Sequence, residues 1–203
     1  MNFVQFKNSL RDFPLFSIAD IRVTHPGFDR RRLSEWQQKG YIKKIIKGFY
    51  LFSDLDIDES ALMAIANKIY KPSYISFETA LSYYRLIPEN IYMITSASTR
   101  RTSLFETPMA RFSYRTIKPS LFFGYSLLTS GIKIAFVEKA ILDYFYINPA
   151  VRNAEDFASL RINREEVLSQ VSVERLTAHL QRFKHKRLSK TIKHFLGWLD
   201  LST

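Results

Sequence analysis

An α+β fold is predicted by three features of this 203-residue chain. Three short amphipathic segments precede a basic, glycine-centred pair of β-rich runs within residues 1–53. Short Phe-, Tyr-, Ile- and Thr-rich runs then crowd residues 54–150, and helical period returns over residues 151–203. The first feature reads as a winged helix-turn-helix, the other two as a larger mixed α/β domain ending in helices. With 46% hydrophobic and 24% charged residues the chain can bury a core and is neither disordered nor fibrous.

Phe3, Phe6 and Leu10, spaced by three and four, place a first helix that Phe13-Pro14 stops. Ser17 caps a second helix through Ile18 and Ile21, and His25-Pro26-Gly27 turns the chain. A third helix starts with Asp29 as N-cap. Phe28 and Leu33 then stand at the spacing of a hydrophobic staple, and Gly40 supplies the left-handed stop. Residues 41–46 and 49–52 follow as strands around the Lys47-Gly48 turn, with imperfect inside-outside alternation.

Lys and Arg total 30 against 19 Asp and Glu, a formal charge of +11 that predicts attraction to a polyanion. The excess lies in residues 1–53 and 151–203, while 54–150 are nearly balanced. Leu33 and Trp36 mark the buried side of the third helix, which leaves Arg31, Ser34, Glu35 and Gln38 opposite, flanked by Arg30. In a major groove Arg pairs with guanine, Gln with adenine and Ser with either, so Arg30, Arg31, Ser34 and Gln38 are the expected base readers. Arg32 and Lys39 on the flanks, with Lys43, Lys44 and Lys47 of the hairpin, are expected on phosphates. Three arginines in a first helical turn oppose the helix dipole, so some compensation is expected.

Beyond the Asp54–Glu59 acidic stretch, 59–70 and 76–84 carry helical stripes, the first ended by Lys71-Pro72 and the second capped by Ser76. Strands are expected at 91–96, 103–107, 111–117, 124–128 and 132–136, and a helix at 137–146 with Ala140, Ile141, Tyr144 and Phe145 inward. Leu188, Ile192, Phe195 and Leu199 stripe the last helix.

With no cysteine, disulfides, thiolate catalysis and cysteine-zinc sites are excluded, and four scattered histidines suggest no metal cluster. No cofactor, metal or catalytic group is expected. No spanning segment or signal sequence is read, so a cytoplasmic protein without membrane contact is expected. Asp54, Asp56 and Asp58 lack the context of a calcium loop and are read as linker and caps. Glu138, Lys139 and Asp143 would suit a nuclease, but Lys139 and Asp143 at i and i+4 read more simply as a surface pair. Arg100 and Arg101, with Lys186, Arg187 and Lys190, form a possible second basic surface.

The runs Pro72-Ser73-Tyr74-Ile75-Ser76-Phe77-Glu78-Thr79-Ala80-Leu81, Leu86-Ile87-Pro88-Glu89, Tyr92-Met93-Ile94-Thr95-Ser96, Phe112-Ser113-Tyr114-Arg115 and Glu138-Lys139-Ala140-Ile141-Leu142-Asp143 resemble, in order and spacing over residues 10–150, the AbiEi antitoxins of type IV toxin–antitoxin systems. Val137 stands where that family commonly has Pro. The resemblance implies autorepression through promoter inverted repeats by the first domain. It also implies that residues 54–203 counteract a nucleotidyltransferase toxin without a stable complex, the protein itself being a monomer. A stand-alone regulator, or a nucleic-acid-processing enzyme, are the alternative readings.

Overall fold

Helix α1 (Phe3–Ser9) begins at a capping box between Asn2 and Gln5. Strand β1 (Leu15–Ser17) leads into α2 (Ile18–Thr24), where Ser17 and Asp20 form a second capping box. Helix α3 (Arg31–Gln38), then β2 (Ile42–Ile46) and β3 (Phe49–Phe52), complete the first unit. Its three antiparallel strands lie in the order β1-β3-β2. The computed structural model describes residues 2–10, 13, 15–88 and 93–200. Arg11, Asp12, Pro14, Glu89, Ile91 and Tyr92, which carried charge, stop, strand and motif assignments above, lie outside them.

Phe6, Phe16, Ile21, Leu33, Trp36 and Phe52 fill the space between these helices and one face of the small sheet. Leu15, Ile45 and Leu51 on the other face join the main core of the chain. The small sheet thus contributes buried side chains to both cores.

The larger part starts with α4 (Glu59–Ile69), capped by Asp58, whose carboxylate accepts from the Ala61 amide. A mixed sheet follows: β4 (Ser73–Ile75), β5 (Met93–Ser98), β6 (Ser103–Glu106), β7 (Arg111–Thr116), β8 (Tyr125–Leu127) and β9 (Lys133–Ala135). Their order is β6-β7-β5-β4-β9-β8, with β4-β9 and β5-β7 parallel. Helix α5 (Phe77–Tyr83) packs on β5, and both it and β9 pack on α6 (Val137–Ile147). Four helices end the chain: α7 (Ala154–Ser159), α8 (Arg164–Gln170), α9 (Val173–Phe183) and α10 (Lys186–Trp198). The fold is thus α+β.

Three local expectations are corrected. Helix α6 is buried all round from Val137 to Phe145, because α5, α9, α10 and the sheet enclose it, so it has no solvent face. Lys139 and Asp143 do pair, but with no side-chain exposure at either, so the pair is internal and not on the surface. Ser76 sits at the N-cap of α5 without capping it, because its hydroxyl donates instead to Asp143 Oδ2 at 2.9 Å.

Candidate nucleic-acid interface

Helix α3 turns Leu33 and Trp36 into the first unit's core, each 3% exposed. Trp36 meets Phe3, Phe6 and Phe28, with centroids at 5.4, 4.5 and 5.8 Å. This clamp fixes the rotation of the helix. Arg30, Arg31, Ser34, Glu35 and Gln38 consequently all face solvent, and the Arg31 side chain is 92% exposed. Arg32 is half-buried.

The compensation demanded by the arginine-rich first turn is present. Arg30 occupies the N-cap without a side-chain cap, one residue later than expected, and Asp29 still does the capping: its carboxylate accepts from the Arg31 amide at 3.0 Å and from Arg31 Nε at 3.2 Å. Those bonds hold the Asp29 carboxyl below its ordinary range. Lys39 Nζ lies 2.6 Å from Glu35 Oε1, an exposed i,i+4 pair on the same helix.

A β-bulge explains the irregular alternation of the hairpin. Lys43 and Lys44 pair opposite Leu51 and Tyr50, whereas Ile46 pairs opposite Phe49, so Ile45 is the extra residue. Both lysines are exposed, whereas Ile42 is buried in the first unit's core and Ile45 in the main core on the other face. Gly48, at φ 87°, makes the turn, and Lys47 beside it is exposed. Lys43, Lys44 and Lys47 thus project from the hairpin that follows α3.

The second basic group is not one surface built for anions. The Arg187 guanidinium donates to the Phe145 and Tyr146 carbonyls at 3.1 and 2.8 Å, closing the C-terminal end of α6. Arg100 lies over the Tyr70 ring at 4.6 Å and donates to the Lys71 carbonyl. Arg101, Lys186 and Lys190 are exposed.

Sequence reasoning missed a closed polar network beneath the mixed sheet. Asp143 Oδ2 accepts from Tyr74 Oη at 2.8 Å and from Ser76, and its other oxygen pairs with Lys139 Nζ. Lys139 also donates to Tyr74 Oη at 2.8 Å. Burial pushes the Asp143 carboxyl and the Tyr74 hydroxyl up and the Lys139 ammonium down. Glu138 accepts from the Ser172 amide at 3.0 Å and faces Arg175 at 3.6 Å. Glu138, Lys139 and Asp143 have no solvent exposure, so none of them can touch a polymer substrate in this conformation. Only part of the signal for burial was present in the sequence: Val137, Ala140, Ile141, Leu142, Tyr144 and Phe145 surround the pair, but Tyr74 and Ser76, remote in sequence, close over it. Among the described residues no group of three or more His, Asp or Glu is placed to hold a metal ion. No helix among them is long and apolar enough to cross a membrane.

No family model matches the chain, and no curated protein does. Among solved structures, three chains are similar. One is the RV2827C protein from Mycobacterium tuberculosis, 13% identical, with a TM-score of 0.55 over 98% of this chain and 82% of that one. At that identity the likeness concerns the fold alone.

Proposed function

We propose that residues 1–53 are a winged helix-turn-helix that binds double-stranded DNA, and that the protein is an autorepressing antitoxin of the AbiEi type. The observation that carries the DNA-binding reading is the outward face of α3, where Arg31, Ser34 and Gln38 stand exposed opposite the buried Leu33 and Trp36, flanked by exposed Arg30. The element order and the β1-β3-β2 sheet support it, since they set a lysine-bearing hairpin after the helix. In this reading α3 enters the major groove, and Arg32, Lys39, Lys43, Lys44 and Lys47 neutralise phosphates. The antitoxin part rests on the motif resemblance in residues 72–143. It assigns protection against a nucleotidyltransferase toxin to residues 54–203, in the cytoplasm, with a monomeric protein and no stable toxin complex.

Fluorescence anisotropy on a duplex carrying the inverted repeats of the protein's own promoter tests the first part. Affinity should fall linearly on a log–log salt plot, with a slope of about 0.9 per phosphate neutralised. Arg31→Ala and Gln38→Ala should each cost about 1–3 kcal/mol of discrimination against mismatched sites. Lys43→Ala or Lys47→Ala should weaken all duplexes alike. Unchanged discrimination in Arg31→Ala/Gln38→Ala would remove α3 as the reader. Co-expression with a neighbouring nucleotidyltransferase gene tests the second part, and failure to rescue growth would leave regulation alone.

A further inference from the structure

Between the small sheet and α4 lies a cavity of about 680 Å³, far larger than the voids of a close-packed interior and inside the roughly 300–1,000 Å³ range of small-molecule sites. Its apolar wall combines Leu15 and Leu51 from the first unit with Ala64 and Ile65 of α4. Its polar groups are biased towards donors. The Asn67 carbonyl oxygen already accepts from the Lys133 amide at 2.6 Å, which fixes the amide so that its NH2 is the remaining group, and that nitrogen is buried without a partner. The hydroxyl of Ser73, a residue 3% exposed, is likewise buried and unpaired. Both belong to residues that line the cavity, and an unpaired buried polar group costs about 1–3 kcal/mol. Lys71 and Lys133 stand exposed at its edge, and among the described residues Asp56 is the one carboxylate in the lining. Lys68, the third lysine there, is occupied: its ammonium donates to the Leu15 carbonyl at 2.6 Å and pairs with Asp20 at 3.2 Å.

We propose that this cavity is a binding site for a small anionic molecule with an apolar body, whose acid group pairs with Lys71 and Lys133 at the edge. The apolar part of the ligand lies between the small sheet and α4. Because the walls come from both units, the ligand links them, and its binding stabilises their junction. The site is independent of whether α3 reads DNA.

Two fluorescent probes that differ by one group test this on the full chain: 8-anilinonaphthalene-1-sulfonate, and N-phenyl-1-naphthylamine, which lacks the sulfonate. The sulfonate should bind saturably at one site per chain, at least tenfold more tightly than the neutral probe, and should raise the thermal midpoint. Lys71→Glu/Lys133→Glu, both at exposed positions and verified as folded by far-UV circular dichroism, should weaken the sulfonate on the order of tenfold or more while leaving the neutral probe unchanged. Ala64→Trp, which fills the cavity, should abolish both; far-UV circular dichroism verifies that it folds. Equal affinity of the two probes, or sulfonate binding unaffected by the lysine reversals in a folded protein, overturns the anionic assignment. Undiminished binding in folded Ala64→Trp, or no saturable binding at all, overturns the site.

Discussion

Replacing Lys139 by Met should destabilise the protein by about 3–5 kcal/mol, the range for removing one partner of a buried ion pair. That is a large share of the roughly 5–15 kcal/mol that holds a domain folded. The structure places the loss near the lower end, because Asp143 keeps the Tyr74 and Ser76 hydroxyl donors. Methionine has nearly the same stem, so the contacts of the lysine methylenes with their surroundings are retained. The variant should also acquire a pH dependence of definite sign. Burial already pushes the Asp143 carboxyl up, and without the ammonium the folded state takes up a proton that the unfolded chain has released. Stability is then fully present below the unfolded carboxylate value of about 3.9 and falls as pH rises towards the elevated folded value, by about 1.4 kcal/mol per unit. Urea titrations followed by the fluorescence of Trp36 and Trp198, from pH 4 to 8, read both effects. Lys139→Met/Asp143→Leu should recover most of the loss, since it leaves no unpaired charge. A Lys139→Met cost below about 1 kcal/mol, with no change in pH profile, would refute the reasoning, because such small values belong to solvated pairs.

Gly124→Ala should cost at least about 1–2 kcal/mol: φ there is 71°, which is costly for any other residue, and a Cβ would stand 3.0 Å from Lys139 Cγ. Its urea midpoint measures the loss. Arg187→Met should cost about 1–2 kcal/mol in the same titration through the two carbonyls of α6 it leaves unpaired, and should leave DNA affinity unchanged. At Asp20 burial raises the carboxyl, but hydrogen bonds from Ser17 and Lys68 outweigh it and hold the group below 3.8. That contribution is present above 3.8 and lost as pH falls through the lower folded value, so Asp20→Asn should be less stable than wild type at pH 6, and the two should converge in acid denaturation below pH 3.

The first unit was legible wherever a local rule applied. Ser17 as a cap and the pairing of Leu33 with Trp36 are short-range patterns that mark a helix start and a buried side, whereas the capping boxes of Asn2 with Gln5 and of Ser17 with Asp20 emerged only in the structure. Strand β1 was missed because three residues, Leu15-Phe16-Ser17, show no period and are extended only by pairing with β3. Strand β4 was missed for the same reason: Ser73-Tyr74-Ile75 is buried on both faces, with Tyr74 towards α6 and Ser73 towards the cavity, so no alternation is written in it. The bulge at Ile45 hid the register of the hairpin. The chemistry of α6 was misread for a different reason. Spacing alone pairs Lys139 with Asp143, but whether water reaches them depends on Tyr74 and Ser76, more than sixty residues away in sequence.

The small sheet's share in both cores constrains how this protein can be dissected. Excising residues 1–53 would strip Leu15, Ile45 and Leu51 of their cover and leave an oily slab facing water, inviting self-association. A soluble, faithful fragment of the amino-terminal unit therefore requires hydrophilic replacements at those three positions, and a bare truncation that loses DNA affinity says nothing about α3.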